Sequence, residues 1–138
     1  DNDFTWNDFQ ARNNNELVAI YGNFINRIVV LTHKYYNGKT PVPDQYNDQD
    51  KEVLNSIKHF QKKISNSIEK FKFREALREL MNLARTGNKY LADHEPWKLI
   101  KDMPNRVNTI MYVGLQIAGH LVHLSNPFLP FLSASPRH

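Results

Sequence analysis

The sequence contains no cysteine and only five glycines among its 138 residues. The lack of cysteine excludes disulfide bonds, thiolate nucleophiles and cysteine-ligated zinc, and it suits a cytoplasmic protein. The glycines, at positions 22, 38, 87, 114 and 119, are scattered, and none opens a strand-to-helix turn that would bind phosphate. No apolar run approaches the roughly 18 residues that a membrane span requires, so we expect no membrane partner.

The familiar catalytic and metal-binding patterns are also missing. His120 and His123 are three residues apart, but neither an HExxH pattern nor a third ligand accompanies them, so we interpret them as packing or surface residues. Glu75 and Glu79 lie one helical turn apart on a basic face and are interpreted as surface pairs. The serines have neither a nucleophile elbow nor an identifiable base. The sequence therefore predicts no catalytic residue and no metal or cofactor site.

The composition is that of one ordered domain. Hydrophobic residues make up 41% and aromatic residues 12% of the chain, and the mean hydropathy of -0.60 indicates a polar exterior. The net charge of +4 and the pI near 9.3 mildly favour anionic partners. Because the first residue is Asp1, we expect the chain to be a piece of a longer protein.

Apolar residues recur at helical spacing, whereas no alternating strand pattern or internal repeat occurs. The predicted helices cover residues 16–36, 48–71 and 73–91, a short segment from 96 to about 100, and residues 105–124. We therefore predict an all-α helix bundle over residues 16–126, with a tether over 1–15 and a tail over 127–138. Gly87, Gly114 and Gly119 are interpreted as points of close helix packing, with a bend as the alternative at Gly87.

The first predicted helix combines a broad apolar face with a narrow polar stripe. Asn23, Arg27 and Lys34 fall on that stripe, and the spacing of four residues lets Asn23 and Arg27 touch one ligand. An amide beside a guanidinium suits the hydrogen-bonding edges of nucleobases and the oxygens of phosphates. The alternative is an ordinary solvated helix face.

Trp97 follows Pro96 at the start of the short helix, after a polar run. Proline in the first turn fixes the helix start and places the indole where it can project outward. Exposed aromatic rings stack on unpaired bases of single-stranded RNA. The alternative is a half-buried core tryptophan.

Four short motifs occur in a particular order: GNFINR from position 22, YNG from 36, NKY from 88 and EPW from 95. In this order and spacing the chain resembles the anticodon-binding domain of bacterial-type methionyl-tRNA synthetases, which are class I aminoacyl-tRNA synthetases. The resemblance covers residues from 8 to about 131. It implies a helix bundle of the class I anticodon-binding type that recognises the CAU anticodon of methionine tRNA.

The resemblance also implies roles for individual residues. It places Asn23, Arg27 and Trp97 in the anticodon-reading site, with Trp97 stacking on the first anticodon base. Lys34 is then a candidate phosphate contact.

Lys89 and Lys98 are electrostatic candidates for the same tRNA. The implied partners are the anticodon loop of methionine tRNA and the catalytic domain of the same parent chain, without DNA. The family's ATP motifs and zinc knuckle are not in these residues, so ATP, Mg²⁺ and zinc would belong to that catalytic domain.

Two other functions remain open from the residues alone. The related synthetases for leucine, isoleucine, valine and cysteine use similar bundles, although the Asn23, Arg27 and Pro96-Trp97 combination argues against them. A helical protein-interaction module that binds no RNA is the second.

Overall fold

The protein is described from a computed structural model, which gives the backbone of residues 6–128 and the side chains of Glu16 and residues 19–128. Within this range the chain is helical and contains no strand, which confirms the all-α prediction. The helices are α1 (Trp6–Tyr36), α2 (Asp48–Glu69), α3 (Phe73–His94), α4 (Pro96–Leu99) and α5 (Pro104–Ser125), followed by a 3-10 turn at Asn126–Phe128. None of the described helices is both long and apolar enough to cross a membrane.

Helix α1 begins at Trp6, about ten residues before the predicted start at the asparagine run, so the prediction of a tether is wrong for residues 6–15. The asparagines at positions 13–15 predict a helix cap, but asparagine inside a helix is only about 0.7 kcal/mol less favourable than alanine. Once a helix is nucleated, each further residue adds a hydrogen bond at little cost. The predicted tether over residues 1–5 and most of the predicted tail, residues 129–138, lie outside the described residues.

Helix α2 starts as the sequence predicted but ends earlier. The Asn47 side chain accepts a hydrogen bond from the Asp50 amide (2.8 Å), and the Asp50 carboxylate accepts one from the Asn47 amide (3.0 Å), which is a capping box. Phe71, predicted on the apolar stripe, instead lies in the turn after α2 with φ 59° and is 79% exposed. The helical spacing of apolar residues continues to Phe71, but α2 ends at Glu69 because the chain turns there into α3.

The core lies between α2, α3 and α5, and α1 packs across α3 and α5. Helix α5 is buried on most of its circumference. The largest fully buried side chains are Phe24, Ile28, Ile64, Leu77, Leu80, Leu83, Leu91, Ile110, Met111, Ile117 and Phe128. Phe24 and Ile28 are the members of this set that come from α1, and Ile20, Ile25 and Leu31 are among the partly buried residues that pack around them.

Two of the glycines allow α1 to approach its neighbours. A β-carbon at position 87 would lie 2.5 Å from Cε1 of Phe24, and one at position 114 would lie 2.6 Å from Cδ1 of Ile28. Of the two interpretations offered for Gly87, close packing is therefore correct. The same expectation is wrong for Gly119, where a β-carbon would meet nothing within 4 Å.

Asp50, with no exposed surface, links three helices. Its carboxylate accepts two hydrogen bonds from Arg106 of α5 (2.6 and 3.0 Å) and one from the Tyr90 hydroxyl of α3 (2.6 Å). The bond from the Asn47 amide completes the set. Because a buried charge is tolerated only when it is paired and hydrogen-bonded, this cluster fixes the relative positions of α2, α3 and α5.

The hydrogen bonds decide the protonation state of Asp50. Burial alone would raise the pKa of its carboxyl, but the bonds from Arg106, Tyr90 and the Asn47 amide outweigh burial and hold that pKa below its ordinary value. Burial and the bond to Asp50 raise the pKa of the Tyr90 hydroxyl, which stays protonated as the donor. Asp50 is therefore a carboxylate in the folded protein at neutral pH.

We expect Gly87→Ala to lower the free energy of unfolding by about 1–3 kcal/mol, because the added methyl group overlaps the buried Phe24 ring. Gly119→Ala is the matched control, since nothing crowds that position and alanine favours a helix by about 1 kcal/mol. Denaturant unfolding of the two variants should give shifts of opposite sign. Equal shifts would contradict the close packing at Gly87.

We expect Asp50→Asn to lower the free energy of unfolding at neutral pH by about 3–5 kcal/mol, because it leaves the Arg106 charge without its partner. The folded pKa of Asp50 lies below the unfolded value of about 3.9, so its stabilisation is complete above that pH and is lost as the pH falls below it. Unfolding between pH 7 and pH 2 should therefore show a flatter acid limb in this variant. Asp48→Asn, at an exposed position of the same helix turn, should leave that limb unchanged.

Candidate RNA-binding site

The solvent side of α1 carries the polar stripe that the sequence predicted. Asn23, Arg27 and Lys34 are exposed, whereas Phe24 and Ile28, each one residue further along, are 0% and 1% exposed. The buried pair faces α3 and α5, so the helical period turns the polar residues outward. Burial of one face therefore sets the direction of the other.

A backbone reversal between α3 and α4 places Trp97. Glu95 has φ 46° and ψ 61°, a left-handed conformation that costs a non-glycine residue about 1–2 kcal/mol. Its amide donates to the Leu91 carbonyl (2.9 Å), and Pro96 is buried as the first residue of α4. Trp97 follows and is 37% exposed.

The sequence predicts Asp93 or His94 as the side-chain cap of α4, because both are polar and lie just before Pro96, but this prediction is wrong. Both residues belong to α3, which runs three residues beyond its predicted end at Leu91. The residue before α4 is Glu95, and its side chain makes no capping hydrogen bond. The start of α4 is therefore held by backbone geometry and by the buried Pro96 ring.

Arg27 and Trp97 meet where α1 passes α4. The Cζ atom of Arg27 lies 5.5 Å from the centroid of the Trp97 ring. A guanidinium at this distance from an indole is attracted by the ring quadrupole, with a stabilisation of about 0.5–1 kcal/mol at an exposed position. The contact therefore places a donor-only hydrogen-bonding group beside an exposed stacking surface.

A groove of about 610 Å³ runs between α1 and α3 beside this pair. Its lining consists of Ala19, Ile20, Asn23, Asn26, Arg27, Asn88, Lys89 and Ala92. The side-chain Nδ2 of Asn88 donates a hydrogen bond to the Ile20 carbonyl (3.1 Å). The close approach at Gly87 brings α1 and α3 together beneath the groove. The floor is thus held by contacts between helices, and the rim carries amides and cations.

The three candidate lysines have different surroundings. Lys89 lines the groove, and its Nζ lies 2.7 Å from the Asp93 carboxylate. The Nζ of Lys98 lies 3.0 Å from the Glu95 carboxylate. Such exposed pairs contribute less than about 1 kcal/mol, so a phosphate can take the place of the carboxylate. Lys34 lies two turns beyond Arg27 on α1, outside the groove lining.

Sequence reasoning did not assign Asn26 or Asn88 to the site. Asn88 falls at the helical spacing of the apolar residues of the third helix, and Asn26 carries no pattern of its own. Both lie within the motifs GNFINR and NKY, but only the packing of α1 on α3 shows that they face one groove. The sequence alone does not show that these segments of α1 and α3 contact each other.

The histidines form no metal centre among the described residues. No three histidine, aspartate or glutamate side chains in that part of the chain come together in a group able to hold a metal ion. The Nδ1 atom of His120 donates to the Gln116 carbonyl (2.8 Å), because a carbonyl can only accept.

Comparison with known proteins gives two adjacent family matches. Residues 40–137 match the anticodon binding domain of methionyl tRNA ligase, and residues 1–29 match the class I tRNA synthetases (M). The chain belongs to the methionyl-tRNA ligase anticodon-binding family. Asn23 and Arg27 fall within residues 1–29 and Trp97 falls within residues 40–137, so the candidate site combines both parts of the family sequence.

Relatives in this family are close in sequence. The methionine–tRNA ligase of Flavobacterium johnsoniae is 63% identical over 134 residues, and that of Christiangramia forsetii is 66% identical over 134 residues. Each alignment covers 97% of this chain and 19% of the relative, so the chain spans about a fifth of the length of these ligases. These matches set aside the leucine, isoleucine, valine and cysteine synthetases as the parent family.

A solved structure shows the same fold. The methionyl-tRNA synthetase of Mycobacterium tuberculosis, determined in complex with methionyl-adenylate, superposes with a TM-score of 0.79 at 23% sequence identity. The superposition covers 87% of this chain and 24% of that one. The bundle described above is therefore the fold found in this family.

We expect Glu95→Gly to be more stable than Glu95→Ala by about 1 kcal/mol, because only glycine adopts the left-handed backbone before Pro96 without strain. Both variants remove the weak pair with Lys98, so the comparison isolates the backbone. Thermal unfolding measures the difference. At an ordinary helical position the order is reversed, and finding alanine the more stable would contradict the strained conformation.

Proposed function

We propose that this domain binds the anticodon loop of methionine tRNA, reads the CAU anticodon, and positions the tRNA for ATP-dependent charging by the catalytic domain of the same parent chain. The contact between Arg27 and Trp97 beside the groove carries the proposal. It joins a stacking surface to a hydrogen-bonding group at one exposed point, which is how proteins read unpaired RNA bases. Membership of the anticodon-binding family supports this assignment.

The first anticodon base is the one that Trp97 would stack. The loop is attracted by the net charge of +4, and the base then lies on the exposed indole, with the Arg27 guanidinium moving toward the edge of the base. Asn23, one turn before Arg27, faces the same edge. Lys89 and Lys98 exchange their exposed carboxylate partners for RNA phosphates, and Lys34 meets the backbone further along α1.

Donor and acceptor chemistry gives a basis for choosing cytosine. Cytosine presents two acceptors, O2 and N3, and an amino donor on its Watson–Crick edge, whereas uracil carries a hydrogen at N3. The Arg27 guanidinium only donates, and the Asn23 amide oxygen can accept from the amino group. With uracil in the same place two donors oppose each other, and an unmatched pair of this kind costs about 1–3 kcal/mol.

The cofactors of charging lie outside this domain in the proposal. The described residues hold no group of acidic or histidine side chains suited to a metal ion, and the sequence has no phosphate loop. We assign ATP, Mg²⁺ and the zinc of the family to the catalytic domain of the parent ligase. We place the activity in the cytoplasm, where methionine tRNA is charged.

We expect Trp97→Ala to weaken binding of methionine tRNA by about 10- to 100-fold, which corresponds to the loss of one stacked base. Phe71→Ala is the matched control, because Phe71 is also an exposed aromatic residue but lies at the other end of α3. Dissociation constants are measured at fixed salt for tRNA with cytosine and with uracil at the first anticodon position. Circular dichroism establishes that both variants remain folded.

The wild-type protein should prefer cytosine, and Trp97→Ala should lose affinity for both tRNAs. Unchanged binding in Trp97→Ala with a folded protein would show that the reading site is wrong. No binding of tRNA by the wild-type protein would instead favour a protein-interaction module.

A further inference from the structure

A second cavity, of about 470 Å³, lies where the loop before α2 meets the start of α5. It shares no lining residue with the groove between α1 and α3. Its walls are Asp44, Gln45, Tyr46 and Asn47 on one side and Asp102, Met103, Pro104, Asn105 and Arg106 on the other. None of these residues belongs to the anticodon-reading site proposed above.

The lining combines apolar surfaces with hydrogen-bonding groups of both kinds. Tyr46 is 36% exposed and Met103 is 50% exposed, which leaves a ring and a thioether accessible. Amides, carboxylates and one guanidinium surround them. An unpaired nucleobase needs a flat apolar contact for its face and matched donors and acceptors for its edge. The cavity offers both.

The carboxylates indicate which part of a nucleotide the cavity suits. Asp44 and Asp102 repel a phosphate, but they accept hydrogen bonds from the amino and imino groups of a base. The positive charge of Arg106 is already paired with the Asp50 carboxylate, to which the guanidinium donates two hydrogen bonds. The lining therefore favours a nucleobase over a free anion.

The walls of this cavity are fixed without a ligand. Asn47 caps α2, Arg106 is bound to the buried Asp50, and the Asp44 amide donates to the Thr109 hydroxyl (2.8 Å). Side chains that are already ordered lose little entropy on binding. Asn47 and Arg106 are thus held in place by the same cluster that joins α2, α3 and α5.

The cavity is also close to Trp97. Asp102 is five positions after Trp97 in the chain, so their α-carbons are at most about 18 Å apart. The chain between them is compact, since α4 occupies most of it and the Met103 amide donates to the Leu99 carbonyl (2.7 Å). Neighbouring nucleotides of one loop can reach both places.

We propose that the cavity between Tyr46 and Asn105 binds a second unpaired base of the tRNA loop whose first anticodon base stacks on Trp97. The inference rests on the proposed function, because it requires that an RNA loop lies at Trp97. It adds a subsite whose second wall, residues 102–106, follows α4 in the chain. The loop then contacts the domain both at Trp97 and at this cavity.

Photocrosslinking in the full-length ligase tests the placement. A benzophenone amino acid is introduced at position 105 in the cavity, at position 98 beside Trp97, and at position 71 as a control at the other end of the bundle. Each protein is irradiated with methionine tRNA, and the crosslinked nucleotides are mapped by reverse transcription. We expect positions 98 and 105 to react with different nucleotides of the anticodon loop and position 71 with neither.

The outcomes separate the two proposals. A loop crosslink at 98 without one at 105 overturns the second subsite and leaves the proposed function standing. No tRNA crosslink at either position overturns both. A crosslink from 105 to another part of the ligase shows that protein covers the cavity and likewise overturns the subsite.

A binding measurement tests the chemistry of the cavity. We expect Tyr46→Ala in the full-length ligase to weaken tRNA binding by about tenfold, and Tyr46→Phe, which keeps the ring, to bind like the wild type. Replacing the nucleotide that crosslinks to position 105 by an abasic residue should remove the difference between Tyr46→Ala and wild type. Equal affinity of Tyr46→Ala and wild type for intact tRNA would overturn the proposal.

Discussion

A carboxylate with no exposed surface must obtain from the protein every hydrogen bond that water would have supplied. Asp50 obtains them from Arg106, Tyr90 and the Asn47 amide, which come from three different parts of the bundle. Tyr90 precedes Trp97 in the chain and Arg106 follows it, so the segment that carries the exposed indole is tied at both ends to one buried charge. The buried Asp50 cluster therefore helps to fix the position of the exposed Trp97.

The other half of the site depends on shape. None of the described side chains of α1 is a buried charge. The helix packs through Phe24 against Gly87 and Ile28 against Gly114, with partly buried apolar residues of α1 around them. These two contacts determine how far α1 lies from α3, and therefore the width of the groove and the distance from Arg27 to Trp97. A buried ion pair positions Trp97, and steric fit positions Asn23 and Arg27.

Much of the fold follows from local rules that act within one turn. The Asn47 cap, the reversal at Pro96 and the stripe shared by Asn23 and Arg27 each depend on residues a few positions apart, so they can be read from sequence. The roles of Asn23, Arg27 and Trp97 came from family resemblance, because spacing alone left an ordinary helix face and an ordinary core residue as alternatives.

What local patterns missed depends on long-range packing. The burial of Asp50 cannot be inferred from its own helix, where it reads as an acidic residue in the first turn. The exposure of Phe71 depends on where α2 must stop to let α3 return, and the role of Asn88 depends on the neighbouring α1. The asparagines at positions 13–15 disfavour a helix only slightly, so α1 extends through them to Trp6. The predicted helix start at residue 16 is therefore wrong.

The unbroken length of α1 has a mechanical consequence. The helix has 31 residues and is therefore about 46 Å long, and no proline interrupts it. A rod of this kind converts a small rotation at one end into a displacement at the other. Because Phe24 and Ile28 pack on the bundle, a tilt of about 5° about Phe24 moves the backbone of Trp6, 18 residues away, by about 2 Å. A small change in how α1 packs at Phe24 is therefore amplified at the first turns of the helix, within the stretch matched to the class I synthetases.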